Sequence, residues 1–146
     1  MDTSKTNLQV REDKKRGIYV EDLSEKNASN AIEVLSIMKK GLDNRAVNST
    51  NMNRESSRSH SLVVINIINN NLKDLSTKIS KLYLVDLAGS EKTSKTGATG
   101  QTLEEAKSIN KSLTTLGQVI NNLTDSKKTH IPYRESKLTR ILQESL

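Results

Sequence analysis

The sequence of 146 residues contains no cysteine, no tryptophan, no phenylalanine and a single proline. The absence of cysteine excludes disulfide scaffolds and thiolate metal sites, and it is typical of an intracellular protein. Aromatic residues make up only 2% of the chain, so few rings are present on which single-stranded nucleic acid could stack. Neither a signal peptide nor a membrane span is predicted, because Met1–Asn7 is polar and the apolar run Leu62–Ile68 is short. We therefore predict a soluble protein.

Basic residues outnumber acidic ones, with 23 Lys and Arg against 17 Asp and Glu and a formal net charge of +6. This balance favours an acidic partner, whether nucleic acid, an anionic membrane or an acidic protein surface, and composition does not choose among them. Hydrophobic residues amount to 33%, which is low for an independent domain of this length. The low fraction indicates that residues outside the chain complete part of its packing surface.

One stretch, Lys81–Gly97, organises the chain. Its first part, Leu82–Leu87, is apolar except for Asp86 and predicts a buried strand. A carboxylate at the end of such a strand is costly without a cation or a donor beside it. The small residues that follow let backbone amides approach an anion. The pattern therefore predicts the metal and phosphate corner of a nucleotide site at Asp86 and Gly89, although a strand that simply ends in an Asp-containing turn explains it equally well.

A second unusual stretch is the polar segment Arg45–His60, which has no apolar periodicity. It combines hydroxyl and amide side chains with Arg54 and Arg58. Such a set offers hydroxyls to Mg²⁺ and to phosphate oxygens, and a guanidinium for charge-assisted pairing, which is what a nucleoside triphosphate requires. A flexible serine-rich linker is the alternative that composition alone favours.

The remaining pattern predicts a mixture of strands and helices. Two short strands, Asn7–Val10 and Ile18–Val20, flank a mostly basic tip and form a hairpin. A helix over Asn30–Leu42, capped by Asn30 and Glu33, buries one apolar face in the core. The other predicted elements are antiparallel strands over Ser61–Ile68 and Ile79–Leu87, a long helix after Gly100 capped by Thr102 and Glu105, and a last helix from Pro132 to Leu146.

The segment Gly89–Thr96 comes one residue short of the P-loop pattern G-x-x-x-x-G-K-[ST]. Ser94 stands where the second glycine belongs, and that glycine permits close wrapping of the backbone around phosphates. Glu91 would place a carboxylate inside the cradle and repel the anion. We therefore reject a P-loop here, and because no other segment fits the pattern, the chain has no phosphate cradle of its own.

Four motifs carry a resemblance to the kinesin motor domain. Asn53–His60 resembles the switch I motif N-x-x-S-S-R-S-H, and Asp86–Glu91 resembles the switch II motif D-L-A-G-S-E. Asn110–Leu113 and His130–Thr139 resemble the signatures N-K-S-L and H-I-P-Y-R-x-S-K-L-T. The resemblance covers the chain roughly from Asn7 onward, and it is strongest to the conventional kinesin heavy chain of fungal type.

The resemblance implies an α/β fold: a partial P-loop NTPase-type kinesin motor fold, with a mixed sheet and flanking helices, lacking its N-terminal part. Residues 1–146 would be one partial motor domain, without the P-loop and without the neck linker. The complete protein would be an ATP-driven microtubule motor that uses ATP and Mg²⁺ and forms a homodimer through a coiled-coil stalk. It would work in the cytoplasm on the microtubule cytoskeleton, with neither membrane nor nucleic acid as partner.

The resemblance also implies roles for individual residues. Ser57 would contact Mg²⁺ and the γ-phosphate, Asp86 would hold Mg²⁺ through water, and the Gly89 amide would sense the γ-phosphate. Arg58 and Glu91 would form the salt bridge that closes the two switches, and Glu91 would relay a proton from the attacking water. Asn53 and Ser56 complete the expected nucleotide contacts, and the expected tubulin contacts are Lys92, Lys95, Lys127, Lys128, Arg134 and Lys137.

Two other functions are compatible with parts of this pattern. The chain could be a nucleotide-independent microtubule-binding module derived from a kinesin, although such a module has no need of Ser57, Arg58 and Glu91. Nucleic-acid binding rests only on the net charge. For the chain alone we expect no ATP hydrolysis at motor rates.

Overall fold

The computed structural model describes residues 4–47, 59–89 and 101–146. Within these residues, no helix combines the length and apolarity needed to cross a membrane. The elements in chain order are β1 (Val10–Asp13), β2 (Gly17–Val20), α1 (Ala31–Val47), β3 (Ser61–Asn70), β4 (Thr77–Asp86), α2 (Gln101–Thr124), a 3-10 turn (Tyr133–Glu135) and α3 (Lys137–Leu142).

Strands β1 and β2 form the predicted hairpin, with Asp13 opposite Gly17. Strand β1 begins at Val10 and extends into the predicted basic tip, which is therefore shorter than the sequence suggested. The Asp13 carboxylate closes the turn by accepting hydrogen bonds from the amides of Arg16 (3.0 Å) and Lys15 (2.8 Å), and these bonds lower the pKa of Asp13. Gly17 follows with φ +73°, a left-handed conformation that suits glycine.

Helix α1 begins with the predicted capping pair. The Oδ1 atom of Asn30 accepts a hydrogen bond from the Glu33 amide at 3.0 Å, and the Glu33 carboxylate accepts one from the Ser29 amide at 2.7 Å. The helix continues past Leu42, where the sequence predicted its end. The first residues of the predicted polar loop Arg45–His60 are consequently helical.

The predicted burial of the apolar face of α1 is wrong for this chain, because Val34 and Met38 are only half-buried and both leucines of the face are exposed. Leu35 is 63% exposed and Leu42 is 54% exposed. Gly41 does not end the helix, since it lacks the left-handed backbone conformation with which a glycine closes a helix. Helix α1 thus presents an apolar face to solvent.

Strands β3 and β4 form an antiparallel ribbon that runs from Ser61 opposite Asp86 to Asn70 opposite Thr77. This pairing confirms the predicted strand pair. The predicted burial of Leu82–Leu87 is wrong for this chain, because its leucine and valine side chains are 39–45% exposed. A two-stranded ribbon covers neither of its own faces, so an apolar strand within it stays accessible to water.

The main buried apolar side chains belong to α2, α3 and β2, and α3 packs against both of the other elements. Val119 of α2 is 0% exposed, and Leu138 of α3 is 5% exposed. Helix α3 packs against both strands of the hairpin and against α2, and so connects the two. Ile18 of β2, Ile109 of α2 and Leu142 of α3 are also buried.

The predicted last helix is wrong at both ends. Pro132 precedes a 3-10 turn, and α3 begins only after Ser136, whose extended backbone (φ −141°, ψ 148°) interrupts the helical path. The Ser136 hydroxyl caps α3 by accepting a hydrogen bond from the Thr139 amide at 3.1 Å. The buried Thr139 hydroxyl donates to the carbonyl of Tyr133 at 2.8 Å. Helix α3 then ends at Leu142, short of the predicted end.

Candidate functional site

The structure describes only some of the residues to which the sequence gave a role. Asp86 and Gly89 lie within the described chain, as do four of the predicted tubulin contacts. The four are Lys127, Lys128, Arg134 and Lys137, whereas Asn53, Ser56, Ser57, Arg58, Glu91, Lys92 and Lys95 lie outside the described residues.

The register of the β3–β4 ribbon brings two predicted nucleotide motifs side by side. Ser61, which directly follows Asn53–His60, is the cross-strand partner of Asp86. Asp86 is exposed at the end of β4, Ala88 is 5% exposed, and Gly89 is half-buried. The end of one motif and the start of the other therefore lie next to each other, as a shared nucleotide site requires.

The His60 imidazole links this strand end to helix α2. Its Nδ1 atom accepts a hydrogen bond from the Ala88 amide at 3.0 Å, and its Nε2 atom lies 2.6 Å from Ser112 Oγ. The Ser112 hydroxyl donates its own proton to the carbonyl of Ile109 at 2.7 Å. Since an amide can only donate, Nδ1 of the ring is unprotonated, and the neutral imidazole carries its proton on Nε2 and donates it to Ser112.

Three of the four sequence motifs thus meet at one half-buried side chain. Sequence analysis gave no role to this histidine or to the serine it contacts. Each of the two is a polar residue within a sequence motif, which could have marked it as a candidate. Only the tertiary structure shows that their side chains form a hydrogen bond with each other. His60 ends Asn53–His60, Ala88 belongs to Asp86–Glu91, and Ser112 belongs to Asn110–Leu113.

The chemistry of this corner fits a magnesium ion and a phosphate. Asp86 supplies an exposed carboxylate, and carboxylate and water oxygens are the ligands that Mg²⁺ prefers. Ala88 and Gly89 follow it without bulky side chains, so a phosphate can approach the backbone. The hydroxyl groups expected to complete the site belong to Ser56 and Ser57, outside the described residues.

Charged side chains connect the hairpin to the residues around α3. Glu12 of β1 pairs with Arg140 and lies 3.5 Å from Arg134, measured from Oε2 to Nη2. Arg134 remains 79% exposed, whereas Arg140 is 13% exposed. Lys127 and Lys128 are exposed in the loop that follows α2. The exposed cations can meet an acidic partner, while Arg140 serves the internal contact.

Lys137 has a structural contact that the sequence did not predict. Its ammonium group donates to the carbonyl of Leu8 at 2.9 Å and to Oδ1 of Asn7 at 3.0 Å. These bonds hold the segment before β1 against the start of α3. The residue is exposed, so its predicted role at a partner surface stays a prediction.

Glu144 fastens the hairpin, the ribbon and the turn after α3 together. Its Oε2 atom accepts a hydrogen bond from Lys81 at 2.7 Å, and its Oε1 atom accepts one from the Ile18 amide at 2.8 Å. Both bonds favour the carboxylate and lower the pKa of Glu144, the Lys81 bond most strongly. A Cβ atom at Gly17 would lie 2.1 Å from Oε1, so glycine leaves space for this contact.

The family model described as Kinesin motor domain matches residues 1–146. The kinesin heavy chain of Botryotinia fuckeliana is 64% identical over 140 residues, which cover 96% of this chain and 16% of that protein. Kinesin-related protein 3 of Dictyostelium discoideum is 60% identical over 146 residues, which cover 100% of this chain and 12% of that protein. The chain therefore spans only a small part of the length of these relatives.

Solved kinesin structures share the fold. A fast kinesin, described with implications for its ATPase mechanism and interactions with microtubules, matches with a TM-score of 0.82 at 62% identity. The match covers 96% of this chain and 40% of that one. The motor domain of the Saccharomyces cerevisiae kinesin-like protein KAR3 matches with a TM-score of 0.76 at 37% identity, over 95% of this chain and 43% of that one. These structures confirm the predicted α/β class, a mixed sheet with flanking helices.

Proposed function

The chain belongs to the kinesin motor-domain family, and we propose that it is the part of an ATP-driven microtubule motor that carries both nucleotide switches and much of the tubulin-binding surface. The observation that carries this proposal is the meeting of three motifs at His60, beside the strand end at Asp86. We assign the P-loop and the neck linker to parts of the full protein outside residues 1–146. The partial match to the fast kinesin, 40% of that chain, supports this assignment.

In this proposal, Mg²⁺ bound with ATP neutralises the charge that develops during phosphoryl transfer. Ser57 and Asp86 are the residues that would hold the metal, Asp86 through water. The Gly89 amide would donate a hydrogen bond to the γ-phosphate, and Glu91, paired with Arg58, would accept a proton from the attacking water. Asn53 and Ser56 would add contacts to the nucleotide.

The exposed cations would bind the acidic surface of tubulin. Lys127, Lys128 and Arg134 are exposed in or near the connection between α2 and α3, which fits such a role. Lys92 and Lys95 belong to the same proposal on sequence grounds, and Lys137 would act partly by holding the start of the hairpin in place. Charge complementarity of this kind raises association rates and makes binding depend on salt.

The first test is the messenger RNA upstream of the Met1 codon. We expect an open frame that encodes G-x-x-x-x-G-K-[ST] roughly a hundred residues earlier. An in-frame stop codon just before Met1 would contradict the ATPase assignment. The chain would then be a nucleotide-independent microtubule-binding module, which would sediment with microtubules equally well with and without ATP. Microtubule-stimulated ATP hydrolysis by the 146-residue chain alone would contradict its assignment as an incomplete site.

The second test uses the complete motor domain encoded by that frame. The substitution Asp86→Asn removes the charge that would hold the metal shell, and we expect about a hundredfold loss of microtubule-stimulated kcat. The matched control is Asp74→Asn, which makes the same chemical change at the far end of the β3–β4 ribbon. Equal ATPase activity in both variants would contradict the role of Asp86.

A further inference from the structure

We propose that His60 is a positioning residue that couples the nucleotide corner to helix α2, and that the coupling runs through Ser112. The proposal rests on the proposed motor function and adds to it a specific mechanical link. His60 would hold the Ala88 amide with one ring nitrogen and the Ser112 hydroxyl with the other. Movement at the nucleotide corner would then displace α2, because a planar ring keeps its two hydrogen-bond partners at a fixed separation.

The first part of the argument is the position of Ala88. It lies between Asp86 and Gly89, just beyond the end of β4, where the ribbon no longer holds the backbone. Its amide is fixed instead by His60 Nδ1 at 3.0 Å, and its side chain is 5% exposed. A shift of Gly89 on gain or loss of a phosphate would therefore be transmitted to this bond.

The second part of the argument is the position of Ser112. It lies in the first half of α2, a helix of 24 residues, and such a helix is about 36 Å long. Farther along α2, Val119 is fully buried, and the helix packs against α3. The exposed Lys127 and Lys128 follow the end of the helix. A displacement of Ser112 would thus move a rigid helix whose far end lies next to the proposed tubulin surface.

Each hydrogen bond of the link has one donor and one acceptor, so the loss of a single atom removes one bond. The Ser112 hydroxyl donates to the Ile109 carbonyl at 2.7 Å, so it accepts from His60 Nε2 at 2.6 Å. Each of these two ring nitrogens therefore has its own partner, and removal of either partner leaves the other bond in place. Loss of the Ser112 hydroxyl would therefore leave the half-buried Nε2–H group without this acceptor.

The test uses substitutions that remove one bond at a time in the complete motor domain. Ser112→Ala removes the acceptor for Nε2 and leaves the Ala88 bond intact. In His60→Asn, the amide oxygen can take the place of Nδ1 but nothing reaches Ser112. In His60→Gln, the longer side chain can restore the Ser112 contact but not the Ala88 contact. The matched control is Ser108→Ala, an exposed serine one turn earlier on α2.

For Ser112→Ala and His60→Asn we expect basal ATPase activity within about twofold of the unsubstituted protein, and microtubule-stimulated kcat lowered about tenfold. The KM for microtubules should change much less than kcat, because the tubulin-binding side chains are untouched. The double variant should be no worse than either single variant, since both remove the same link. His60→Gln should lose stimulation as well, and Ser108→Ala should keep it.

Three outcomes would overturn the coupling role. One is full stimulation in Ser112→Ala, equal to that of Ser108→Ala. Another is a parallel loss of basal and stimulated activity in Ser112→Ala and His60→Asn, which would indicate general damage to the site. The third is additive losses in the double variant. If the unsubstituted motor domain shows no microtubule-stimulated ATPase at all, the proposed function fails first, and the coupling fails with it.

Discussion

At the scale of single residues, the tautomer of His60 is a direct prediction of its contacts. The Ala88 amide must donate to Nδ1, so the proton of the neutral ring lies on Nε2 and points to Ser112. We expect ¹⁵N NMR near neutral pH to show a protonated Nε2 and an unprotonated Nδ1. Ser112→Ala should leave this tautomer in place but change the Nε2 shift. A ring protonated on Nδ1 would contradict the arrangement.

The pH dependence of the hairpin docking follows from Glu144. Its folded-state pKa lies below its usual 4.5 because Lys81 and the Ile18 amide bond to the carboxylate. The stabilisation is therefore complete above pH 4.5 and is lost as the pH falls through the lowered folded-state pKa. We expect protection of the Ile18 amide from hydrogen exchange, corrected for the intrinsic rate, to fall in that acid range.

A matched pair of variants separates this docking from ordinary surface charge. Glu144→Gln should lower Ile18 protection at neutral pH and remove most of its acid dependence. Glu104→Gln removes a carboxylate whose contact with Lys107 is on the surface, where such pairs contribute little. It should leave Ile18 protection unchanged. Acid dependence that persists in Glu144→Gln would show that another group is responsible.

At the scale of elements, the features that depend on near neighbours in sequence could be predicted. The Asn30 cap depends on residues three positions apart, and the hairpin and the β3–β4 ribbon each join strands that are consecutive in sequence; all three are present. Burial could not be predicted in the same way, because it depends on which elements pack against a face. The predicted start of the last helix was wrong because Pro132 and Ser136 are both residue types that favour the start of a helix. In the structure, the extended backbone of Ser136 separates the 3-10 turn from α3, so α3 begins after Ser136.

The same distinction applies to the candidate site. The motif sequences predict a site at Asp86 and Gly89, because a charged residue and a glycine after an apolar strand form a local pattern. The link through His60 joins residues far apart in sequence, and no local pattern specifies it. The link is visible only in the tertiary structure, where His60 lies between the end of β4 and helix α2.

The exposed β3–β4 ribbon leads to a prediction about self-association. Ile68 and Ile79 are opposite each other in the ribbon and are 64% and 69% exposed. Open strands with apolar faces pair readily with other chains. We expect the double variant Ile68→Lys, Ile79→Glu to remain monomeric at higher concentrations of the isolated chain, as measured by light scattering, and to keep its circular dichroism spectrum.

The control for this variant places the same ion pair on a polar part of the ribbon. Asn70→Lys with Thr77→Glu changes two residues that also face each other, and whose side chains already form a hydrogen bond of 2.9 Å. This control should not change the concentration at which the chain associates. Equal association of both double variants and the unsubstituted chain would show that another surface is responsible, and the apolar face of α1 would be the next to test.

At the scale of the whole molecule, the charges divide into internal and external sets. Arg140 and Lys137 hold the hairpin against α3 through Glu12, Asn7 and Leu8. The lysines in the loop after α2 remain exposed and lie at the end of the helix that His60 contacts. Substitution of an internal cation should therefore disturb the hairpin, whereas substitution of an external one should affect only binding.

The salt dependence of microtubule binding tests the external set. In the complete motor domain, Lys127→Ala with Lys128→Ala should weaken binding about three- to tenfold at low salt, because two cations would be lost from the proposed contact with an acidic surface. The difference should shrink as added salt screens the remaining charges. Lys39→Ala with Lys40→Ala removes an equal charge from exposed positions on α1 and should have little effect. Equal weakening by both pairs in co-sedimentation assays would mean that net charge, and not a defined surface, attracts the microtubule.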